Sequence, residues 1–290
     1  MKKIFFACLA FSAFWACNPD LDDKVDLPDP PFEANFEIAP ASAPNTFVLS
    51  NTTSGTFLHN WDFGNGTSGQ GDQVEVYYPF QGTYTVTLTA YNAGGSISSS
   101  QVIVVEEDDK PNCETSPLFE FLTNCDSREW RLLQDEGALW VGTLDEGTTY
   151  WQNTIDELDV RPCAWNDVWT FTEENKMIYD TKSDMWAEDY MGFSFECIDE
   201  GSLQESQSSW ASGTHDFTVL PGDVEQIQVT GMGAYLGLPK VANGAEVTLP
   251  QNSVTYEVGD YYVEGNKAIL VLKVDVGGGT LWRFTYESNQ

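Results

Sequence analysis

Apolar and polar positions alternate with a period of two along most of this chain. In GTYTVTLTAYN (82–92), Thr83, Thr85, Thr87 and Thr89 alternate with Tyr84, Val86, Leu88 and Ala90, the pattern of a strand with one wet and one dry face. DQVEVYYPF (72–80) and SISSSQVIVVEE (96–107) flank it, with turn residues at short intervals. Together they predict a sandwich of short strands over residues 33–106. Further along, EWRLL, DVWTFTE, KMIYDT, GFSFEC, HDFTVL, EQIQVTG, VTYEVGDYYVEGN, KAILVLKVDVG and TLWRFTYES recur between Gly, Asn and Asp punctuation. No stretch sustains helical periodicity, and SPLFEFLTN (116–124) predicts a helical turn at most. The expected class is all-β: an N-terminal Ig-like sandwich, then a larger β-sandwich over residues 118–290, jelly-roll-like or a twisted barrel.

Other segments bound these two domains. Residues 1–16 place Lys2 and Lys3 before a short apolar run that ends at Cys17, which reads as a leader and not as a permanent span. Residues 17–32 are acidic and rich in proline, a tether, and residues 107–117 are a charged, proline-bearing hinge. The Ala16-Cys17 junction resembles a bacterial lipoprotein signal, with Phe14 and Trp15 departing from the usual pattern. That resemblance makes Cys17 the lipidation site and the membrane a partner through the anchor. The following NPDLDDKVD resembles the surface-export signal of Bacteroidetes lipoproteins, which implies an outer-membrane lipoprotein exposed at the cell surface.

Charge and cysteines narrow the chemistry. The net charge of −32 becomes −34 without Lys2 and Lys3, so nucleic acid is excluded as a partner by repulsion from its phosphates. A neutral polymer or a divalent cation is compatible with that charge. Cys113, Cys125, Cys163 and Cys197 form an even set in an exported chain, hence disulfides. Four cysteines allow three connectivities and the spacing chooses none; 113–125 with 163–197 is the pairing we expect. Zinc is disfavoured because no C-x-x-C occurs and His59 and His215 are the chain's two histidines. No organic cofactor is expected. A structural calcium is the one ion that clusters such as DLDD and SDMWAED could hold.

WDFGNG, Trp61 to Gly66, followed by Tyr78 and Gly82-Thr83-Tyr84-Thr85-Val86, closely resembles a PKD (polycystic-kidney-disease) domain, with Asn65 in place of the family's second aspartate. Trp61 and Phe63 can both point inward, and Gly64-Asn65-Gly66 suits a tight turn. The resemblance implies a spacer in an extracellular polysaccharide-degrading system.

The tryptophans divide by their neighbours. Trp130, Trp169 and Trp282 lie in alternating strands and are expected in the core. Trp140, Trp151, Trp165, Trp186 and Trp210 stand among Gly, Ser, Thr, Asn and Asp, as does Tyr150. Neutral sugars present an apolar C–H face and a hydroxyl rim, so flat rings beside amides and carboxylates suit them. Tyr150, Trp151, Trp165 and Trp186 are the expected platform, with Gln152, Asn153, Asp156, Asn166, Asp167 and Asp184 as hydroxyl partners. The competing expectation is that these rings fold back and cap the sandwich. Residues 129–181 also look like a C-terminal module of Bacteroidetes surface proteins and some secreted glucanases, through Trp130-Arg131-Leu132, Val141-Gly142-Thr143, Tyr150-Trp151 and Arg161-Pro162-Cys163 with Asn166-Asp167 and Phe171. Thr143, Tyr150 and Asn166 depart from its pattern. PKD plus such a module is similar to the surface glycan-binding proteins encoded beside Sus-type outer-membrane glycan importers. The resemblance favours laminarin-type β-1,3-glucan as ligand, non-catalytic binding, and the importer as a neighbour.

Two other classes compete. A glycoside hydrolase needs a pair of carboxylates, yet the E-x-D-x-x-E strand of laminarin-cleaving enzymes is absent. Glu157-Leu158-Asp159 runs instead into Arg161-Pro162. No G-x-S-x-G occurs. A calcium-stabilised adhesion or structural surface protein is the third class.

Overall fold

The computed structural model describes residue 29 and residues 33–289. Cys17, the leader and nearly all of the tether lie outside the described residues. Of the described residues, 49% are in strands and 11% in helices, so the all-β expectation holds.

The first domain is an Ig-like sandwich. Strands β1 (Phe36–Pro40), β2 (Thr46–Asn51), β3 (Leu58–Asp62), β4 (Ser68–Gln70), β5 (Gln73–Tyr77), β6 (Gly82–Asn92) and β7 (Gly95–Val105) form two sheets, ordered β1-β2-β5 and β4-β3-β6-β7. Their inner faces bury Phe36, Leu49, Trp61, Val86, Leu88 and Ile103 between them. Trp61 donates its indole N–H to Gly71 O at 2.9 Å, and Tyr78 donates its hydroxyl to Phe63 O at 2.9 Å, so both buried polar tips are satisfied. Glycine is required at 64: φ is +73°, and a Cβ there would sit 2.5 Å from Thr85 O.

The segment expected as a hinge is tied down. Tyr77 donates its hydroxyl to Asp109 O, and Asp109 N donates to Pro79 O at 2.9 Å. Gln81 N donates to Asp108 Oδ1 at 2.7 Å. Lys110 pairs with Asp108 at 2.9 Å and lies 5.0 Å from the Phe80 ring centre. After it, Ser116 caps helix α1 (Pro117–Thr123) by accepting from Phe119 N at 3.1 Å.

The larger domain contains β8 (Ser127–Leu132), β9 (Leu139–Thr143), β10 (Thr149–Gln152), short helices α2 (Asp156–Val160) and α3 (Pro162–Asn166), then β11 (Val168–Thr172), β12 (Lys176–Asp180), β13 (Asp184–Ala187) and β14 (Glu196–Asp199). It continues with β15 (Gly213–Leu220), β16 (Gln226–Thr230), β17 (Val241–Ala242), β18 (Ala245–Glu246), β19 (Ser253–Glu264), β20 (Lys267–Asp275) and β21 (Thr280–Asn289). Ten strands form one antiparallel sheet in the order β10-β9-β21-β20-β19-β16-β15-β12-β11-β8, and β21 also pairs with β8 through Tyr286↔Leu132 and Glu287↔Arg131. The body is sandwich-like as expected, but its two layers are one sheet closed into an eight-strand ring. Successive strands are neighbours, so the order is a meander and the jelly-roll detail is corrected; the long hairpins β15–β16 and β19–β20 leave no crossing for a Greek key to make.

Side chains fill the ring. Trp130, Trp169, Phe171, Phe217, Tyr256 and Phe284 are each at most 1% exposed, which places Trp130 and Trp169 in the core as expected; Trp282 joins them. The segment between β16 and β17 enters the same core. Tyr235 O accepts from Trp169 Nε1 at 3.0 Å, and Leu236 N donates to Tyr256 Oη at 2.7 Å. Gly237 lies so close to Phe284 that a Cβ would stand 2.5 Å from its ring.

The disulfides are Cys113–Cys125 and Cys163–Cys197, the expected pairing. The second joins residues 34 apart and ties α3 to β14, the partner strand of β13. We predict that Cys163→Ser/Cys197→Ser lowers stability by about 3–4 kcal/mol through the freed loop entropy of the unfolded chain. Urea unfolding of the double variant checks this, and an unchanged midpoint would contradict it.

Candidate functional site

The stretch that gathers the expected site residues runs from β10 through α3. Strand β10 is an edge of the sheet, paired only with β9. Thr149 faces Gly142, Trp151 faces Val141, and the register shifts between them. This β-bulge leaves Tyr150 out of the ladder and turns it toward water, 57% exposed. Trp151, half-buried, keeps one edge toward Trp282 at 6.3 Å between ring centres.

The next residues are pinned by Asn153. Its side chain is fully buried, accepts from Leu139 N at 2.9 Å and donates to Asp135 O at 2.9 Å. It is a structural pin and no sugar partner. Glu157 then accepts from Thr154 N at 2.9 Å and pairs with Arg161 at 3.1 Å. The Arg161 guanidinium lies between two indoles, 5.1 Å from Trp151 and 4.8 Å from Trp186. Cation–π attraction and planar stacking account for that placement.

The expectation of a broad open platform is corrected. Trp140, Trp165, Trp186 and Trp210 are 3%, 3%, 6% and 1% exposed. Trp140 donates to Thr149 Oγ1 at 2.9 Å and carries Arg283 on its ring at 4.8 Å. Trp165 anchors α3, and Trp186 packs on Cys163 and Ala164. Trp210 lies in a separate turn, edge-on to Tyr190 at 6.0 Å. These rings fold back, the competing expectation, because each gains more by burying its area than by standing in water. The structure therefore brings together Trp151, Trp165, Trp186, Asn166 and Asp184 around Arg161, while Tyr150 stands out in solvent, Trp140 is buried beneath Thr149, and Trp210 lies apart.

Two features went unread in the sequence. One is the role of Arg161 between the indoles; an arginine beside a tryptophan-rich stretch is the signal that could have found it. The other is a polar groove beside α3, where Arg131, Gln134, Asp159, Pro162, Asn166 and Lys182 surround an edge of Trp165. Asn166 donates to Asp184 Oδ1 at 3.0 Å. Its own Oδ1, Arg161 Nε, Trp186 Nε1 and Asp167 Oδ1 are buried polar atoms without a partner among the described residues, a concentration that native interiors seldom tolerate.

Asp167 belongs to the core and not to the groove. It accepts from Tyr179 at 2.9 Å, and Tyr179 accepts in turn from Tyr235 at 2.6 Å. Burial pushes its carboxyl well above the usual range, against the bond from Tyr179 and with help from Asp184, Asp180 and Glu200. Among the described residues no three metal-ligating side chains converge.

Two predictions follow from these placements. A carboxyl raised in the folded state holds its proton there while the unfolded chain has lost it, so Asp167 costs stability as pH rises above about 4. Asp167→Asn keeps an acceptor for Tyr179 without that cost. The stability difference, variant minus wild type, is expected to grow in favour of the variant between pH 4.5 and pH 8 in urea unfolding. A difference that shrinks would show an ionised, stabilised carboxylate. Secondly, Trp186→Ala is expected to cost about 3–5 kcal/mol as a core truncation, whereas Tyr150→Ala leaves the melting temperature within about 1 °C because exposed positions contribute little. Equal losses from both would contradict the assignment of one ring to the core and the other to solvent.

Residues 33–105 match the family model described as PKD domain. Solved structures similar to the chain include the PKD1 domain from the Vibrio cholerae metalloprotease PrtV, with 31% identity over 25% of this chain and 94% of that one, TM-score 0.23. The PKD1 domain of Vibrio anguillarum Epp shows 28% identity over 26% and 93%, TM-score 0.23. A carbohydrate-binding module structure from the beta-sandwich superfamily, described as promiscuous in specificity, shows 12% identity over 89% and 91%, TM-score 0.24; that likeness is too slight to carry weight. No curated protein matches the chain. Residues 33–105 are a PKD domain.

Proposed function

We propose that this chain is a non-catalytic polysaccharide-binding protein, anchored at the outer membrane through Cys17, that captures glycan for uptake by a neighbouring importer. The observation that carries the reading is the bulged edge strand. It holds the Tyr150 ring in solvent beside half-buried Trp151, whose ring carries the Arg161 guanidinium paired with Glu157. A ring face with amides and charged donors close by suits a pyranose, whose C–H face stacks while its hydroxyls hydrogen-bond. The sequence resemblance of residues 129–181 favours a neutral β-glucan such as laminarin. A PKD domain, to which residues 107–110 are tied and whose Asn65 carbonyl accepts from Gln228 of the larger domain, serves as a spacer between tether and binding domain.

Hydrolysis is the second reading, and one observation weighs against it. Asp167, the carboxyl with a raised proton affinity, is 5% exposed and occupied by Tyr179. A general acid must reach the glycosidic oxygen of a polymer, which this one does not.

The test is native electrophoresis of residues 18–290 through gels holding laminarin, mixed-linkage glucan, xylan, mannan or alginate, with reducing-sugar release assayed alongside. We expect retardation by a neutral glucan without sugar release, weakened about tenfold by Tyr150→Ala or Trp151→Ala, the loss of one stacking contact. Sugar release, or mobility unchanged in every gel, would overturn the proposal.

A further inference from the structure

The PKD turn Gly64-Asn65-Gly66 does more than join two strands. Its Asn65 carbonyl accepts from Gln228 Nε2 at 3.2 Å, and a Cβ at Gly66 would meet Ser253 Oγ at 2.6 Å. The turn is therefore seated on the outer face of β16 and the start of β19. Gln228 would otherwise be an ordinary outward amide on its strand; here it is 5% exposed. With residues 107–110 bound to the PKD sandwich at one side and this contact at the other, the two domains enclose a cleft of about 590 Å³.

Its walls differ in chemistry. The PKD side offers the half-buried rings of Phe80 and Tyr84, with Lys110 above Phe80. Tyr84 is held in place by donating to Phe80 O at 2.8 Å and by packing on Tyr78 at 4.3 Å between centres. The opposite wall offers Thr230 and Asn252, both exposed, whose side chains make no hydrogen bond among the described residues. Charge in the cleft is already matched: Lys110 pairs with Asp108, and Asp216 pairs with Lys176. Rings on one wall, free amide and hydroxyl on the other, and no uncompensated charge are what a neutral pyranose requires. Clefts between domains are a preferred place for small ligands, and walls fixed in advance lower the ordering cost of binding.

We propose that this cleft between the PKD and barrel domains is a second binding site for a neutral sugar unit, with Phe80 stacking and Asn252 and Thr230 hydrogen-bonding. The inference rests on the glycan-binding reading above. A polymer long enough to occupy both the cleft and the β10–α3 face gains by effective concentration, so the PKD domain is part of the binding surface as well as a spacer.

The test uses residues 18–290 with laminarin as probe, and titration calorimetry as readout. Phe80→Ala and Asn252→Trp probe the cleft, Tyr150→Ala and Asn166→Ala the barrel face, each with its melting temperature. Asn252 is exposed, so its variant folds even if Phe80→Ala does not. We expect either cleft variant to weaken laminarin about tenfold, Phe80→Ala by losing one stacking contact and Asn252→Trp by filling the cleft. Unchanged affinity in both cleft variants, with Tyr150→Ala weakened, would overturn this inference and leave the proposed function standing. Loss confined to the cleft variants would support the inference and overturn the β10–α3 assignment. Absence of binding by the wild type would overturn both.

Discussion

The pairing of β8 with β21 is the contact on which the larger domain depends. Without it the chain has an open sheet with two unpaired edges and a row of tryptophans exposed on its concave side. With it, eight strands form a ring whose inward positions are filled by Trp130, Trp169, Phe171, Phe217, Tyr256 and Phe284. The closure is narrow, two residue pairs in register, and is buttressed by the neighbouring bonds from Leu133 N to Thr285 O and Thr285 N to Ala138 O at 2.8 Å each. Closing the ring also decides where an edge remains. The β9–β10 ribbon branches off β21 and ends in β10. The bulge there projects Tyr150, so the free edge of the ten-stranded sheet displays a ring to solvent.

Strands were legible wherever alternation was strict. GTYTVTLTAYN became β6 over Gly82–Asn92, and TLWRFTYES became most of β21. Ring closure was not legible, because β8 and β21 stand at opposite ends of the domain and nothing in either segment names its partner. The tryptophans show the same limit. Trp169 lies in a strand of alternating pattern, and that pattern places it in the core. Trp186, in SDMWAED, looked like a loop residue because its neighbours are polar, yet it lies on the short β13 strand. There it is covered by α3, which the Cys163–Cys197 bond holds in place. Burial of that kind comes from a cross-link between distant residues, not from local pattern. Trp140 escapes the pattern for a different reason: Gly142 and Thr143 sit beside it on an ordinary strand, and small neighbours make room for a large ring as readily as they make a turn.

Acidity shapes how the few cations are used. Among the described residues, Glu146 draws Lys273 and Arg283 together, fixing the β9–β10 turn on β20 and β21, and Arg283 at the same time covers Trp140. Arg161 is paired with Glu157 and stacked between indoles. These arginines therefore act as covers on buried indole faces more than as exposed charges. Pairs of this partly buried kind hold geometry better than they add stability.

The central claim is that glycan is held on the β10–α3 face of a chain whose core is otherwise filled. Amide hydrogen exchange of residues 18–290, with and without laminarin, tests it most directly. The account predicts slowed exchange in peptides covering 149–153 and 161–167, with the inward strands β11 and β15 unchanged. Protection confined to the outer face of β6 and β7, or none at all under saturating laminarin, would contradict it.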